Sequence, residues 1–231
     1  MIGDSISLHY GPYLEEAVAG RFVYARKRAE APPRTPLTPT AREPGDRPRS
    51  SLDYPEGAFG ENAGDSDMVL EYLASRPEQV ANADVVLLNC GLHDLKVDKR
   101  TGTHQVPLDR YRRNLDGIVD ALSATSASLV WCSTTPVHDA THAMHDRELT
   151  FSRTEADVLR YNLSATEVMR AAGVPVIDLH AFTLRLAGPD LAGLYADHVH
   201  FTPAVRAAQA RLTRLSWPMS TPLGLPVLPE V

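Results

Sequence analysis

Ala83-Asp84-Val85-Val86-Leu87-Leu88-Asn89-Cys90 reads as a strand that is apolar on both sides. Val85 to Leu88 show no alternation of apolar and polar positions. A strand with one wet face alternates, whereas one covered on both faces does not. The run therefore fits a parallel sheet with helices above and below it. It ends at Gly91-Leu92-His93-Asp94-Leu95, where the chain leaves the sheet.

The segments on either side carry the same pattern outward. Downstream, Leu108 to Leu122 has a helical stripe of Tyr111, Leu115, Ile118, Val119 and Leu122. Ser128 to Ser133 reads as a strand, Thr154 to Ala172 as a long helix that Gly173 can cap, and Val174 to Leu179 as a further strand. Pro203 to Leu215 is a last helix, with Pro203 in its first turn. Upstream, Tyr10 to Gly20 reads as a helix with Pro12 in the first turn and Tyr13, Leu14, Ala17 and Val18 on one face. Arg21 to Arg26 reads as a strand. After Asn62-Ala63-Gly64-Asp65-Ser66, a helix carries Met68, Val69, Tyr72 and Leu73 on one face, capped by Asp65 or Ser66. Strands and helices in alternation imply an α/β fold with a parallel sheet and helices on both faces. In such sheets ligands bind outside the C-terminal ends of the strands.

The 231 residues fit one domain over 1–231. Two proline-rich stretches interrupt the pattern: a loop at about 29–60, with Pro32, Pro33, Pro36, Pro39, Pro44, Pro48 and Pro55, and a C-terminal tail from Ser216 to Val231. Apolar residues make up 43%, enough for a buried core. The net charge of -6 and pI near 5.8 argue against a nucleic-acid partner. No apolar run approaches a membrane span. No leader is visible, and the expected compartment is the cytoplasm, with the chain start left open. Cys90 and Cys132 each lie in an apolar run, which suits buried thiols rather than a disulfide.

The residues able to do chemistry gather at strand exits. Ser5 follows Gly3-Asp4 at the end of a very short apolar start. A serine nucleophile needs a base, a group that orients the base, and N–H donors for the oxyanion. Asp197 and His200, three apart in Asp197-His198-Val199-His200, can supply the first two. Gly64, just before a helix N-terminus, can aim a backbone N–H at an anion.

Four blocks in order resemble the SGNH hydrolases, also called GDSL-type esterases: Gly3-Asp4-Ser5, Asn62-Ala63-Gly64-Asp65, Gly91-Leu92-His93-Asp94 and Asp197-His198-Val199-His200. The resemblance spans residues 3 to 200. It implies a flavodoxin-like three-layer α/β/α sandwich and ester hydrolysis. Carried over, Ser5 is the nucleophile, His200 the base and Asp197 its orienting carboxylate. The oxyanion hole is formed by the N–H groups of Ser5 and Gly64 and by the residue at 93. The family has an asparagine amide there; this chain has His93, whose neutral ring can still donate one hydrogen bond. The resemblance also places a strand before Ser5 in the middle of the sheet. Here it either extends upstream or is formed by Met1 to Gly3 alone.

Asp4, Asp94, His138 and Arg153 are the candidates for contact with substrate, Arg153 toward an anionic group. His138, His142 and His145 share one face if helical, a spacing compatible with a metal, but the reading assigns no metal. The expected activity is hydrolysis of short-chain acyl esters through a Ser-His-Asp triad and an acyl-enzyme. It needs no cofactor and acts on a small-molecule or carbohydrate ester, with no assigned oligomeric state. Two alternatives stand beside it: transfer of the acyl group to a sugar hydroxyl, or a sugar- or metal-binding protein with a decayed site.

Overall fold

The computed structural model describes residues 1–27, 62–145 and 147–215. The expected loop at 29–60 and the proline-rich tail lie outside these residues.

The sheet is parallel, as the run at 83–90 demands. Strands β1 (Val85–Leu88), β3 (Ser128–Cys132) and β5 (Val176–Ile177) lie in the order β1-β3-β5. The register pairs Val85 with Ser128 and Leu88 with Trp131, then Trp131 with Val176. Ile2 extends the sheet on the other side of β1, bridging Leu88 in parallel. Its N–H donates to Leu87 O (2.9 Å), and its carbonyl accepts from Asn89 N–H (3.1 Å). Met1 in turn pairs outward: its amine donates to Ala25 O (2.8 Å) and its carbonyl accepts from Lys27 N–H (3.0 Å). Met1 and Ile2 thus lie in the place of the strand expected before Ser5. The strand expected over Arg21 to Arg26 is not formed as such; Ala25, near its end, and Lys27, just beyond it, make these two bonds to Met1. A separate two-residue ribbon pairs β2 (Val97–Asp98) with β4 (Phe151–Ser152) antiparallel.

Helices cover both faces. On one, α1 (Ser5–Val18) packs on α7 (Pro203–Leu215), and α7 on α6 (Leu179–Ala187). On the other, α2 (Ser66–Ser75), α3 (Leu108–Ser123) and α5 (Glu155–Ala171) pack side by side. A short α4 (Asp139–Met144) follows β3. The core between the layers includes Leu14, Leu88, Leu115, Ile118, Val130 and Trp131, all buried. Burying each such side chain contributes about 1.5–3 kcal/mol. Cys90 and Cys132 are free buried thiols, and burial pushes the Cys132 thiol up to about 12. No helix among the described residues is long and apolar enough to cross a membrane.

Two helices depart from the sequence reading. Helix α1 begins at Ser5, not Tyr10. Asp4 is its N-cap, accepting the Ile6 N–H at 3.0 Å. Ile6, Tyr10, Leu14 and Val18 then recur every fourth residue and are all buried. Pro12 therefore lies inside the helix. This packing outweighs its missing N–H. Helix α6 is not among the expected elements, and it takes over Leu179, the last residue of the strand expected over Val174 to Leu179. Asp178 caps it by accepting the Ala181 N–H at 2.9 Å, which stops β5 after Ile177.

Candidate active site

Strand pairing brings the site together before any side chain is considered. Ile2 lies beside Leu88, so the chain beyond residue 2 and the chain beyond residue 88 leave the sheet together. The Ala63 N–H donates to Gly3 O (2.9 Å), fixing the segment before α2 beside the same exit. Gly3 itself has no room for a side chain: a Cβ there would stand 2.1 Å from Asn89 Oδ1. Ser5 sits at the first turn of α1, where helix N–H groups lack intrahelical acceptors.

The packing of α7 on α1 delivers the base. The loop ahead of α7 is closed by a bridge between Tyr195 and Phe201 and by the Ala196 N–H to His200 O bond (2.7 Å). Within it, Asp197 Oδ1 accepts the N–H groups of Val199 (2.8 Å) and His200 (2.7 Å). Asp197 Oδ2 lies 2.7 Å from His200 Nδ1, and His200 Nε2 lies 2.8 Å from Ser5 Oγ. A carboxylate only accepts, so the ring proton is on Nδ1 and Nε2 accepts from the Ser5 hydroxyl. Burial works to raise the Asp197 carboxyl. The hydrogen bond and charge of His200, with the two backbone donors, outweigh it and hold the group well below the usual carboxylate range.

The other side of Ser5 comes from separate segments. Gly64 has φ +72°, a left-handed conformation that favours glycine, and a Cβ there would strike the Met68 side chain. Its N–H donates to Asn62 Oδ1 at 2.8 Å. His93 is buried on the turn after β1, and its Nδ1 lies 3.2 Å from Lys96 Nζ. An ammonium can only donate, so Nδ1 accepts and the neutral ring carries its proton on Nε2.

The four candidates for substrate contact also take part in the protein's own hydrogen bonds. Asp4 is buried and occupied as the α1 cap; burial raises its carboxyl against hydrogen bonds from Asn89, Ile6 and Ser7. Asp94 is buried and accepts the Ser66 N–H at 2.9 Å, tying the turn after β1 to the start of α2. Burial pushes its carboxyl up to about 7, against the Ser66 hydrogen bonds. Arg153 is buried too, donating from Nε to Leu92 O (2.8 Å) with its guanidinium over the Phe151 ring. His138 caps α4, its Nδ1 2.7 Å from Thr141 Oγ1. Asp4, Asp94 and Arg153 are as buried as Ser5 and His93, and His138 is half-buried.

Further histidines surround the base; of these, His9 has no signal in the sequence patterns considered above. The His9 ring lies 4.4 Å from the His200 ring, and His198 lies 6.4 Å away on another side. His142 and His145 stand 5.4 and 5.6 Å from His198. Burial lowers both His9 and His198 to about 3, so both rings are neutral at working pH. Among the described residues, no group of three or more His, Cys, Asp or Glu side chains could hold a metal ion.

A parallel sheet with a Ser–His–Asp chain at its C-terminal edge is the geometry in which serine hydrolases hold nucleophile and base. The chain belongs to the GDSL-like lipase/acylhydrolase family, whose model matches residues 1–208, and it is a carboxylic ester hydrolase with the SGNH-type α/β/α fold. Solved structures agree on the fold. A lipase/acylhydrolase from Enterococcus faecalis is 17% identical with a TM-score of 0.52, over 65% of this chain and 69% of its own. The acetyl xylan esterase AlAXEase is 15% identical (TM-score 0.54; 68% and 77% covered). LAE5, an alpha/beta hydrolase from the metagenome of Lake Arreo, Spain, is 18% identical (0.54; 67% and 68%). No match emerges among curated protein sequences.

Proposed function

We propose that the protein hydrolyses short-chain acyl esters, including esters on carbohydrates, with Ser5, His200 and Asp197 as its triad. The observation that carries this reading is the continuous chain from Asp197 Oδ2 through both nitrogens of His200 to Ser5 Oγ, at 2.7 and 2.8 Å. Ser5 Oγ attacks the ester carbon as its proton passes to His200 Nε2. The negative charge that forms on the carbonyl oxygen is met by the N–H groups of Ser5 and Gly64 and by His93 Nε2–H. The C–O bond to the alcohol breaks, and His200 returns its proton to the departing oxygen. Water, deprotonated by His200, then cleaves the acyl-enzyme and releases the acid. No step needs a cofactor.

The rings of His9 and His198 beside His200 support the substrate class. Burial keeps both neutral, and neutral imidazoles suit a short polar ester better than a long aliphatic chain, which gains most from aliphatic walls. The test is a fluorophosphonate probe with p-nitrophenyl acetate turnover. Ser5 is expected to carry the label, and Ser5→Ala to lose both labelling and turnover. Label on another residue, or a fully active Ser5→Ala variant, overturns the assignment. Rates on acetyl, butyryl and octanoyl esters rank the acyl chain; a preference for octanoyl overturns the short-chain reading.

A further inference from the structure

His9 follows Ser5 by four residues on α1, so the two side chains share one face of the helix. Helical side chains lean back toward the N-terminus, which carries the His9 ring over the turn that holds the nucleophile. His200 lies across this face. Its Nε2 meets Ser5 Oγ at 2.8 Å, and its ring faces the His9 ring at 4.4 Å with the planes tilted by 48°. Among the described residues, the charged and titratable groups that act on this pair are Asp197 and His198 from the loop before α7, and Arg206 from α7, which donates from Nε to Phe201 O at 2.6 Å. Asp197 holds one edge of the His200 ring, and the bond to Ser5 at the other edge loosens once the serine has given up its proton and reacted. The contact on the ring face holds the ring throughout.

We propose that His9 is a positioning residue for the base: its neutral ring holds the His200 imidazole aimed at Ser5 Oγ and covers the imidazolium that forms when the serine proton arrives. This rests on the reading of His200 as the base. The role needs a flat, uncharged face. A neutral aromatic ring attracts a neighbouring cation through its π electrons, whereas a charged neighbour would oppose the imidazolium. His9 meets both conditions, since burial, with the charges of His200 and Arg206, keeps it neutral down to about pH 3. Its Nδ1 is buried and makes no hydrogen bond among the described residues, so the ring is held at His200 at the cost of an unsatisfied nitrogen.

The test compares His9→Ala, His9→Leu and His9→Phe by steady-state kinetics on p-nitrophenyl acetate, with thermal midpoints alongside. Removing the ring is expected to lower kcat about tenfold or more, since small losses of alignment at a reacting pair are costly, while KM stays within about twofold. Phe, which restores a neutral flat ring, is expected to recover kcat to within about threefold of the parent. Leu fills the volume without a π face, keeps the question decidable if Ala loosens the helix, and is expected to resemble Ala. Unchanged kcat in Ala or Leu, or a Phe variant no faster than Leu, overturns the proposal. A failure of the underlying triad shows separately, as loss of Ser5 labelling in the parent protein.

Discussion

The two sides of Ser5 are built in opposite ways. On the base side, one short loop supplies both Asp197 and His200, and every polar atom is spent inward. Asp197 takes two backbone N–H groups and the ring, and the ring takes the serine. On the oxyanion side, the donors come from three distant segments: Ser5, Gly64 and His93. One of them already serves an internal partner, since Gly64 N–H faces Asn62 Oδ1, while Lys96 fixes the His93 ring. The base is therefore complete before substrate arrives. The Gly64 donor must exchange a neutral acceptor for a developing anion, and a charge-assisted hydrogen bond is roughly twice as strong as a neutral one. On the proposed mechanism, the base side decides whether Ser5 reacts, and the oxyanion side decides how fast.

If that division is right, the largest loss falls on the base side. His200→Ala and Asp197→Asn are each expected to lower kcat about 10⁴-fold, the scale on which triad members act as a unit. Turnover of p-nitrophenyl acetate measures the loss. Either variant within tenfold of the parent would break the comparison. On the oxyanion side, His93→Ala is expected to cost about 10²-fold in kcat, the scale of one lost donor. His93→Asn, which restores an amide N–H, should stay within about tenfold. An unaffected Ala variant would leave the hole to backbone donors alone.

The same asymmetry governed what could be read from the sequence. Asp197 and His200 were legible because an Asp three residues before a His closes in one turn. The Asp65 cap, the α3 stripe and the parallel character of β1 were legible from capping chemistry and periodicity. The start of α1 was not. Small polar residues at 5 and 7 conceal the four-residue apolar repeat from Ile6 to Val18, and Pro12 marks a false start. With the start misplaced, the Ser5–His9 relation one turn apart was invisible, and so was the role of Asp4 as the cap of α1. The i, i+4 spacing of a serine and a histidine after Asp4 was the missed signal. The Lys96–His93 contact spans only three residues, yet it depends on where the turn after β1 aims two side chains. Propensity carries no such information.

A sharper probe of the oxyanion side is Lys96→Met. The ammonium fixes the His93 tautomer by occupying Nδ1. Without it, both tautomers are open, and only the one with the proton on Nε2 presents the donor. The expected loss in kcat is about tenfold, smaller than for His93→Ala because the ring remains. In the double variant with His93→Ala, the Lys96 change should add almost nothing to the loss in kcat if it acts through the His93 ring rather than through its contact with the Phe151 ring. Full additivity would show that Lys96 acts elsewhere.

The smallest effect on rate falls on Asp94, which joins two of the oxyanion segments without touching the reacting atoms. Its Oδ1 accepts the Ser66 N–H at 2.9 Å, linking the turn that carries His93 to the helix behind Gly64. Asn keeps that acceptor, so Asp94→Asn is expected to hold kcat within about threefold. Stability is where the change appears. Burial holds the folded carboxyl at about 7, whereas an unfolded Asp titrates at about 3.9. The folded state thus keeps a proton that the unfolded state gives up. This contribution is fully present below about pH 3.9 and is lost as pH rises to about 7, after which it is flat. Asn cannot ionise and loses nothing over that window. Urea midpoints of parent and variant should therefore diverge in favour of Asp94→Asn between pH 4.5 and 8, by about 1–3 kcal/mol at the upper end. Parallel curves would mean that Asp94 is already ionised in the folded protein. The joint between the two oxyanion segments would then be a buried charge rather than a neutral acid, and Asp94→Asn would slow the enzyme as well.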